Sequence, residues 1–338
     1  MSPANANANE RREGPRVSVV IATYNRSNVL SLAIASVLSQ TIPDWEIVVV
    51  GDACTDDTAA VVAAFRDPRI QFVNLDRNCG EQSGPNNEGL RLARGRFAAF
   101  LNQDDLWLPD HLEAALAPLE AGEADLVFTL TETIDPEGRS LTGAAPAGEY
   151  RPFVICPASS WVFRRDLSRE VGPWKNFREI YDLPSVEWLR RAFREGKRLR
   201  SVPRMTVVRY PSVSRRNSYS ERQSAEQVAC AARMRSEPDF RERELTALAI
   251  DLAARDPLFR QNLRVLPYLS RGLKNALVRG AVALGFSPNE VYGRLMLRGR
   301  GGTIDTARKR RGLPPAARGL SPAAPDLPPA APREPRHS

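Results

Sequence analysis

Short apolar runs alternate with segments of helical periodicity along the first half of the chain. The runs are rich in β-branched residues and lie at 17–22, 46–50, 70–73, 97–101 and 125–131. Between them, apolar residues recur at the three- and four-residue spacing of helices, as in the segments 29–38, 86–94 and 109–119. Strands that alternate with helices predict an α/β fold, with a Rossmann-like, mainly parallel sheet flanked by helices.

The pattern becomes looser after residue 131. We predict a loop or hairpin over 132–157, then a short strand at 159–165, an amphipathic helix at 184–195 and two closing strands at 198–202 and 206–210. Beyond Pro211, helical periodicity returns in the segments 221–235, 241–254 and 268–284, which predicts a C-terminal helical appendage. The expected organisation is a disordered tail (1–14), an α/β domain (15–210), a helical region (211–311) and a disordered Pro/Ala-rich tail (312–338).

Composition narrows the choice of partner and compartment only slightly. The 338 residues carry 48 Lys and Arg against 40 Asp and Glu, a net charge of +8, which permits nucleotide, lipid or nucleic-acid ligands without selecting one. The four cysteines form no CxxC pair, so neither a zinc site nor a disulfide framework is indicated. No apolar segment has the length of a leader or a membrane span. We expect a cytoplasmic protein, either soluble or peripheral on the inner membrane face.

The strongest chemical signal lies where the 97–101 strand ends. It runs into Asn102, Gln103, Asp104 and Asp105, at the edge of the sheet where open α/β proteins bind ligands. Two carboxylates there suit Mg²⁺ or Mn²⁺ bound to a phosphate ester. Two other strands deliver the turn 23–25 and Asp52 to the same edge. A nucleotide laid across it could stack on the turn, pair its base with Asp52 and reach the carboxylates with its diphosphate.

Four blocks of the chain, 17–25, 46–58, 84–95 and 97–112, resemble the signature blocks of the family 2 glycosyltransferases, which have the GT-A fold. The similarity covers roughly residues 16–210. Members of this family are inverting enzymes that use nucleotide-diphosphate sugars, usually with a divalent metal. The resemblance implies transfer of a sugar from a UDP-, GDP- or dTDP-linked donor to a hydroxyl of a glycan or lipid-linked acceptor, in glycan or cell-surface polysaccharide biosynthesis.

The resemblance also assigns residues to roles. It implies nucleoside contacts from four residues: Thr23, Tyr24, Asn25 and Asp52. It implies that Asp104 coordinates Mn²⁺ or Mg²⁺ on the diphosphate. Asn86 and Asn87 match a block near the diphosphate and sugar, although Asn87 could equally cap the following helix.

Two positions depart from the commonest family pattern. Gly51 and Asn102 stand where many members have an aspartate. The amides of Asn102 and Gln103 remain donor-binding candidates, because an amide can bond a ribose hydroxyl or a metal-bound water. Because the motif has one carboxylate fewer, we expect weaker metal binding. We expect Asp105 to support Asp104 without binding the metal itself.

Inverting transfer needs a general base for the acceptor hydroxyl. The family's Glu-Asp pair is absent, and the matching region offers Glu187, which precedes Trp188 and Leu189, with Asp182 as the alternative. Glu187 could instead be a solvated or Arg190-paired helix residue. Trp161 could line the acceptor cleft or pack in the core.

Other readings of the chain remain open at this point. Asn102 and the missing Glu-Asp pair are compatible with a catalytically impaired nucleotide-sugar-binding protein that has a scaffold or regulatory role. The basic cluster 308–311 has no accompanying recognition motif, so we expect no specific nucleic-acid binding and favour membrane or partner contact. The leucines and basic residues of 268–284 fit either a membrane surface or a packed helix. His111, in the first turn of a helix, is expected to face solvent.

Overall fold

The computed structural model describes residues 14–255 and 300–316, together with Ala276 and Gly280. Residues 1–13 and 317–338 of the predicted tails, and most of the predicted helix 268–284, lie outside the described residues. Within these ranges, no helix combines the length and apolarity that a membrane crossing requires.

Nine strands of the described chain form one sheet, in the order β3-β2-β1-β4-β8-β6-β9-β5, with β7 paired to β6. The strands are β1 Val17–Thr23, β2 Trp45–Gly51, β3 Ile70–Asn74, β4 Phe97–Phe100, β5 Leu106–Trp107, β6 Leu126–Asp135, β7 Gly138–Thr142, β8 Trp161–Arg164 and β9 Leu199–Arg209. The helices are α1 Ser27–Leu38, α2 Thr58–Ala63, α3 Ser83–Leu92, α4 His111–Glu120, α5 Leu167–Val171, α6 Pro184–Arg194, α7 Ala225–Ser236, α8 Phe240–Arg255 and α9 Gly302–Arg310. The predicted fold class is confirmed.

The strands β1 to β4 are parallel to one another. β1 lies between β2 and β4, with Val17 opposite both Trp45 and Phe97, and Thr23 opposite Gly51. Strands buried on both faces need apolar side chains throughout, and every residue of β2 is buried. The parallel registers bring the carboxyl ends of β1, β2 and β4 to one edge.

The second half of the sheet is mixed, because β8 runs antiparallel to β4 and β6. The loosely patterned segment contains the β6–β7 hairpin. β9 is one strand rather than the two we expected. The residues of β9 that pair with β6 jump from Val202 to Met205, beside a register shift at Leu130. Pro203 cannot donate to a ladder, and a bulge carries the strand past it.

A buried arginine fixes the segment after β9 against the end of β1. Arg26 is 1% exposed, and its Nη1 and Nη2 donate to the Ser218 and Gln223 carbonyl oxygens at 3.0 and 2.7 Å. Its guanidinium also lies 5.1 Å from the centre of the Tyr219 ring. The edge that carries the strand ends therefore has a second wall, which comes from the C-terminal part of the chain.

The segment 300–316 forms a third wall at the same edge. Ile304 of α9 and Ala316 pack with Phe177 in a small apolar cluster. Ala316, which falls in the predicted Pro/Ala-rich tail, is therefore packed against the rest of the protein.

Candidate functional site

A cavity of about 480 Å³ opens at the carboxyl edge of the sheet. This volume falls within the range of small-molecule sites in proteins. Its lining comes from strand ends, from loops and from the segment 303–313, and includes Thr23, Tyr24, Asp52, Gly80, Glu81, Asn102, Gln103, Asp104, Asp105, Leu183, Pro184, Ser185, Arg209, Tyr219, Arg308, Arg310 and Arg311.

Asp52 is a buried carboxylate at the end of β2. Its two oxygens accept hydrogen bonds from the backbone N–H groups of Cys79 at 2.6 Å and Gly80 at 3.1 Å. Burial raises the pKa of Asp52 to about 6, although these N–H groups and the nearby Arg308 charge act in the opposite direction. A raised pKa in a cavity is typical of functional carboxylates.

The neighbouring Gly51 has a steric reason to lack a side chain. A Cβ there would collide with Oδ1 of Asn74. The Asn74 amide is held in place, since Oδ1 accepts from Cys54 N at 2.8 Å and Nδ2 donates to Cys54 O at 2.9 Å. Asp52 is consequently the single carboxylate at this strand end.

Gln103 joins the ends of β1 and β4 to the second wall of the cavity, which contains Tyr219. Its Oε1 accepts from the Thr23 hydroxyl at 2.6 Å and from Tyr24 N at 3.0 Å, while Nε2 donates to the Tyr219 hydroxyl at 2.8 Å. The rings of Tyr24 and Tyr219 lie 6.4 Å apart. The amide fixes the tyrosines around the opening, and both present apolar surface to it.

Three amide residues assigned to the donor lie outside the cavity lining. Asn25 has a left-handed φ of 47°, and its Oδ1 accepts from Thr55 N at 2.8 Å, which joins the loops after β1 and β2. Asn86 is buried within α3. Asn87 exchanges two 2.9 Å hydrogen bonds with the Trp174 backbone. Asn25 and Asn87 thus brace the site from outside.

The adjacent carboxylates of the β4 end have different environments. Asp105 is 1% exposed and accepts from Asn102 Nδ2 at 2.9 Å and the Ser159 hydroxyl at 2.5 Å. Burial and the neighbouring Asp104 charge raise its pKa. Asp104 lines the cavity, and no described residue donates a hydrogen bond to its carboxylate or pairs with it. Asp104 is therefore the carboxylate available to a ligand.

The donor set fits a metal that is shared with a phosphate ligand. Among residues 14–255 and 300–316, no group of three His, Cys, Asp or Glu side chains could enclose an ion. Mg²⁺ commonly binds one or two carboxylates and completes its shell with water and substrate phosphates. Asp104, open to the cavity, suits that arrangement.

The two candidates for the general base lie at different positions in the sequence relative to the residues that line the cavity. The lining includes residues 183–185 at the start of α6, directly after Asp182. Asp182 Oδ1 accepts from Leu183 N at 2.8 Å, and Oδ2 lies 3.9 Å from Arg190 Nη1. Glu187 lies further along α6, where Lys175 Nζ at 3.2 Å and Arg191 Nη2 at 3.1 Å engage both carboxylate oxygens. Glu187 is not part of the lining.

Two aromatic residues near the site lie in the core. Trp161 is 0% exposed and stacks at 6.0 Å on Trp188, so it does not line a cleft. His111 is also fully buried, contrary to our expectation. It stacks at 4.1 Å on Trp107 and bonds the Thr206 hydroxyl at 2.8 Å, and burial lowers its pKa to about 3.

Sequence reasoning missed the contribution of the C-terminal segment to this cavity. Arg308, Arg310 and Arg311 line it, although the sequence pattern favoured a surface for membrane or partner contact. The available signal was the cluster itself, since an anionic nucleotide needs positive charge nearby. Tyr219 gave no sequence signal, because residues far away in the chain, among them Arg26 and Gln103, hold it at the site.

Part of this chain is similar in sequence to known glycosyltransferases. Residues 18–172 match the model of glycosyl transferase family 2. The chain is 39% identical over 156 residues to the succinoglycan biosynthesis protein ExoO of Rhizobium meliloti, covering 45% of this chain and 44% of ExoO. It is 34% identical over 119 residues to the Escherichia coli glucosyltransferase WfgD, covering 35% of this chain and 47% of WfgD. The matches thus span less than half of each relative.

A solved structure with a similar fold is that of TarS from S. aureus. It superposes with a TM-score of 0.52 at 17% identity, over 88% of this chain and 90% of the TarS chain. At that identity the similarity concerns the fold alone. The matched segment and the relatives named as glycosyltransferases show that residues 18–172 are similar to the family 2 glycosyltransferases.

Proposed function

We propose that the protein is an inverting glycosyltransferase that moves a sugar from a nucleotide-diphosphate donor to an acceptor hydroxyl. The observation that carries the proposal is the convergence of Asp52, Tyr24 and the unpaired Asp104 on one cavity. Their order along the edge matches the parts of a nucleotide sugar. Asp52 can accept a hydrogen bond from an N–H of the nucleobase, and the ring of Tyr24 can stack on the flat face of the base. The open carboxylate of Asp104 can bind a metal ion on the diphosphate.

The relatives favour a uridine nucleotide and a lipid-linked acceptor. WfgD is named as transferring glucose from UDP-Glc to GlcNAc-diphosphoundecaprenol, and TarS was solved in complex with UDP-GlcNAc. The name of ExoO refers to biosynthesis of a polysaccharide, succinoglycan. We extend these chemistries to this chain as a UDP-sugar donor and a glycan or lipid-linked acceptor. An acceptor on a polyprenyl lipid would bring the enzyme to the cytoplasmic membrane surface.

The residues divide the work between binding and proton transfer. Ionised Asp52 accepts a hydrogen bond from the base, and Gln103 keeps Tyr24 and Tyr219 at the opening. A divalent metal held by Asp104 would offset the negative charge that develops on the leaving diphosphate. A carboxylate at the start of α6 takes the proton of the acceptor hydroxyl. Asp182 is better placed than Glu187, because it directly precedes the lining residues 183–185, whereas Glu187 is outside the lining and is engaged by Lys175 and Arg191.

Thermal unfolding tests the proposal directly, since a ligand that binds only the folded state raises the unfolding temperature. The full chain would be heated with UDP, GDP, dTDP and their sugars, with and without Mn²⁺. We expect one base to stabilise the protein, more strongly with Mn²⁺, and D52N to show a smaller shift. The absence of any shift with all nucleotides would contradict the proposal.

A catalytically impaired nucleotide-sugar-binding protein is the second candidate. Asn102, whose amide is bonded to Asp105, and the missing Glu-Asp pair favour it. Such a protein would show the same thermal shifts as an active enzyme. Release of the nucleotide diphosphate from the matched donor separates the two, because only an active enzyme turns the donor over.

A further inference from the structure

The helix α9 places positive charge on the cavity. Arg308, Arg310 and Arg311 all line it. The backbone holds this helix end in place, because Asn217 N donates to Arg310 O at 2.8 Å and Tyr219 N donates to Arg311 O at 3.2 Å. The backbone that carries these arginines is therefore a fixed part of the wall.

The three arginines are not equally available to a ligand. Arg308 is buried, and its Nη1 and Nε donate to the carbonyl oxygens of Gly80 at 2.7 Å and Pro314 at 2.9 Å. Arg311 has a buried Nε without a hydrogen-bond partner, and no carboxylate in the described ranges pairs with its guanidinium. Arg308 has a structural task, whereas Arg311 retains donors for a ligand.

Arg311 and Asp104 both lie close to Tyr219 in the cavity lining. Gln103, the residue before Asp104, donates to the Tyr219 hydroxyl at 2.8 Å, and the guanidinium carbon of Arg311 lies 5.8 Å from the centre of the Tyr219 ring. An anion that reached a metal on Asp104 would therefore also be near Arg311. A planar guanidinium binds phosphate oxygens through two parallel hydrogen bonds.

We propose that Arg311 binds the diphosphate of the donor beside the metal position at Asp104. This inference rests on the proposed function, since it names a further residue of the same site. Asn102 leaves the metal motif with one carboxylate fewer, and Arg311 supplies positive charge to the diphosphate from the α9 wall. Diphosphate binding is therefore expected to persist partly when the metal is removed.

The test compares R311M with K309M in the full chain. Both variants remove one positive charge from the same segment, but Lys309 is exposed and does not line the cavity. Calorimetric titrations with inorganic pyrophosphate, with UDP, GDP and dTDP, and with uridine, guanosine and thymidine would be run in EDTA and in Mn²⁺. Binding of the nucleoside by R311M shows that the variant is folded.

We expect R311M to weaken binding of pyrophosphate and the matched nucleoside diphosphate by about tenfold or more, as for a lost charge-assisted hydrogen bond. Nucleoside affinity should be unchanged, K309M should behave as wild type, and R311K should be intermediate. Unchanged diphosphate affinity in R311M, equal losses for nucleoside and diphosphate, or an equal effect of K309M would overturn the inference. If wild type bound pyrophosphate through Arg311 but no nucleotide, the anion site would stand and the proposed function would fail.

Discussion

The titration of Asp52 predicts how recognition of the base depends on pH. Only the ionised carboxylate can accept a hydrogen bond at both oxygens, and burial raises its pKa in the free protein to about 6. The ionised fraction falls from about nine-tenths at pH 7 to about one-tenth at pH 5. If a base N–H requires the carboxylate, nucleoside affinity should fall about tenfold over this interval, which corresponds to about 1.4 kcal/mol.

A nucleoside is the right probe, because a terminal phosphate itself titrates near pH 6 (about the same value as the carboxylate). Affinities of uridine, guanosine and thymidine would be measured by calorimetry from pH 5 to 8. Glu81, also on the lining, has a pKa raised by burial to about 8, so it stays protonated below pH 7. The variant D52N is the control, since it keeps the size of the side chain and removes its titration.

Two results would refute this reasoning. A wild-type affinity that is constant from pH 5 to 7 would mean that the base does not use the Asp52 charge. A tenfold fall that persists in D52N would assign the titration to another group, of which Asp105 is the nearest candidate because its pKa is also raised.

Three further predictions concern the metal, the general base and stability. In calorimetry, D104N should weaken Mn²⁺-dependent binding of the nucleoside diphosphate roughly tenfold or more and leave nucleoside affinity unchanged. If Mn²⁺ strengthened binding as much in D104N as in wild type, Asp104 would not be the metal ligand. D182N should lower the turnover rate about 10²- to 10⁴-fold and retain its affinity for the donor, whereas E187Q should lower the rate far less. A larger loss of rate in E187Q than in D182N, in a donor-turnover assay, would make Glu187 the base. His111 binds a proton in the unfolded chain near pH 6.5 but in the folded protein only near pH 3, so stability is lost as the pH falls below 6.5. Relative to H111N, the free energy of unfolding of wild type should decrease by about 2 kcal/mol between pH 7 and pH 5, and parallel pH profiles in urea titrations would contradict this.

The sequence predicted those parts of the fold in which the local hydrophobic pattern of a segment matches its burial in the folded protein. β1, β2 and β4 are short β-branched or apolar runs buried on both faces, so their polar ends can be aligned from the pattern of the chain. Tyr24, Asp52, Gln103 and Asp104 converge because parallel registers leave the ends of neighbouring strands together. The roles proposed for these four residues come from the family resemblance, since periodicity alone does not determine them.

The remaining features depend on contacts between distant segments. His111 follows a helix start that looks exposed, yet Thr206, far along the chain, offers it a buried partner. Glu187 stands before a Trp-Leu pair as in the family pattern, but Lys175 and Arg191 engage its carboxylate. Composition marked residues after 311 as a tail, whereas Ala316 packs on Phe177. Neither propensity nor spacing contains this information.

The hydrogen bond from Arg308 to Gly80 joins residues that are 228 positions apart. Contacts of such large sequence separation form late, because closing a long loop costs chain entropy before the contact repays it. A growing chain can assemble β1 to β4 while α9 has not yet been translated. The cavity then lacks the wall that carries Arg308, Arg310 and Arg311, so a nascent chain would form the strand ends before it acquires the basic side of the proposed diphosphate site. Synthesis thus delays completion of the cavity until the segment 300–316 has docked.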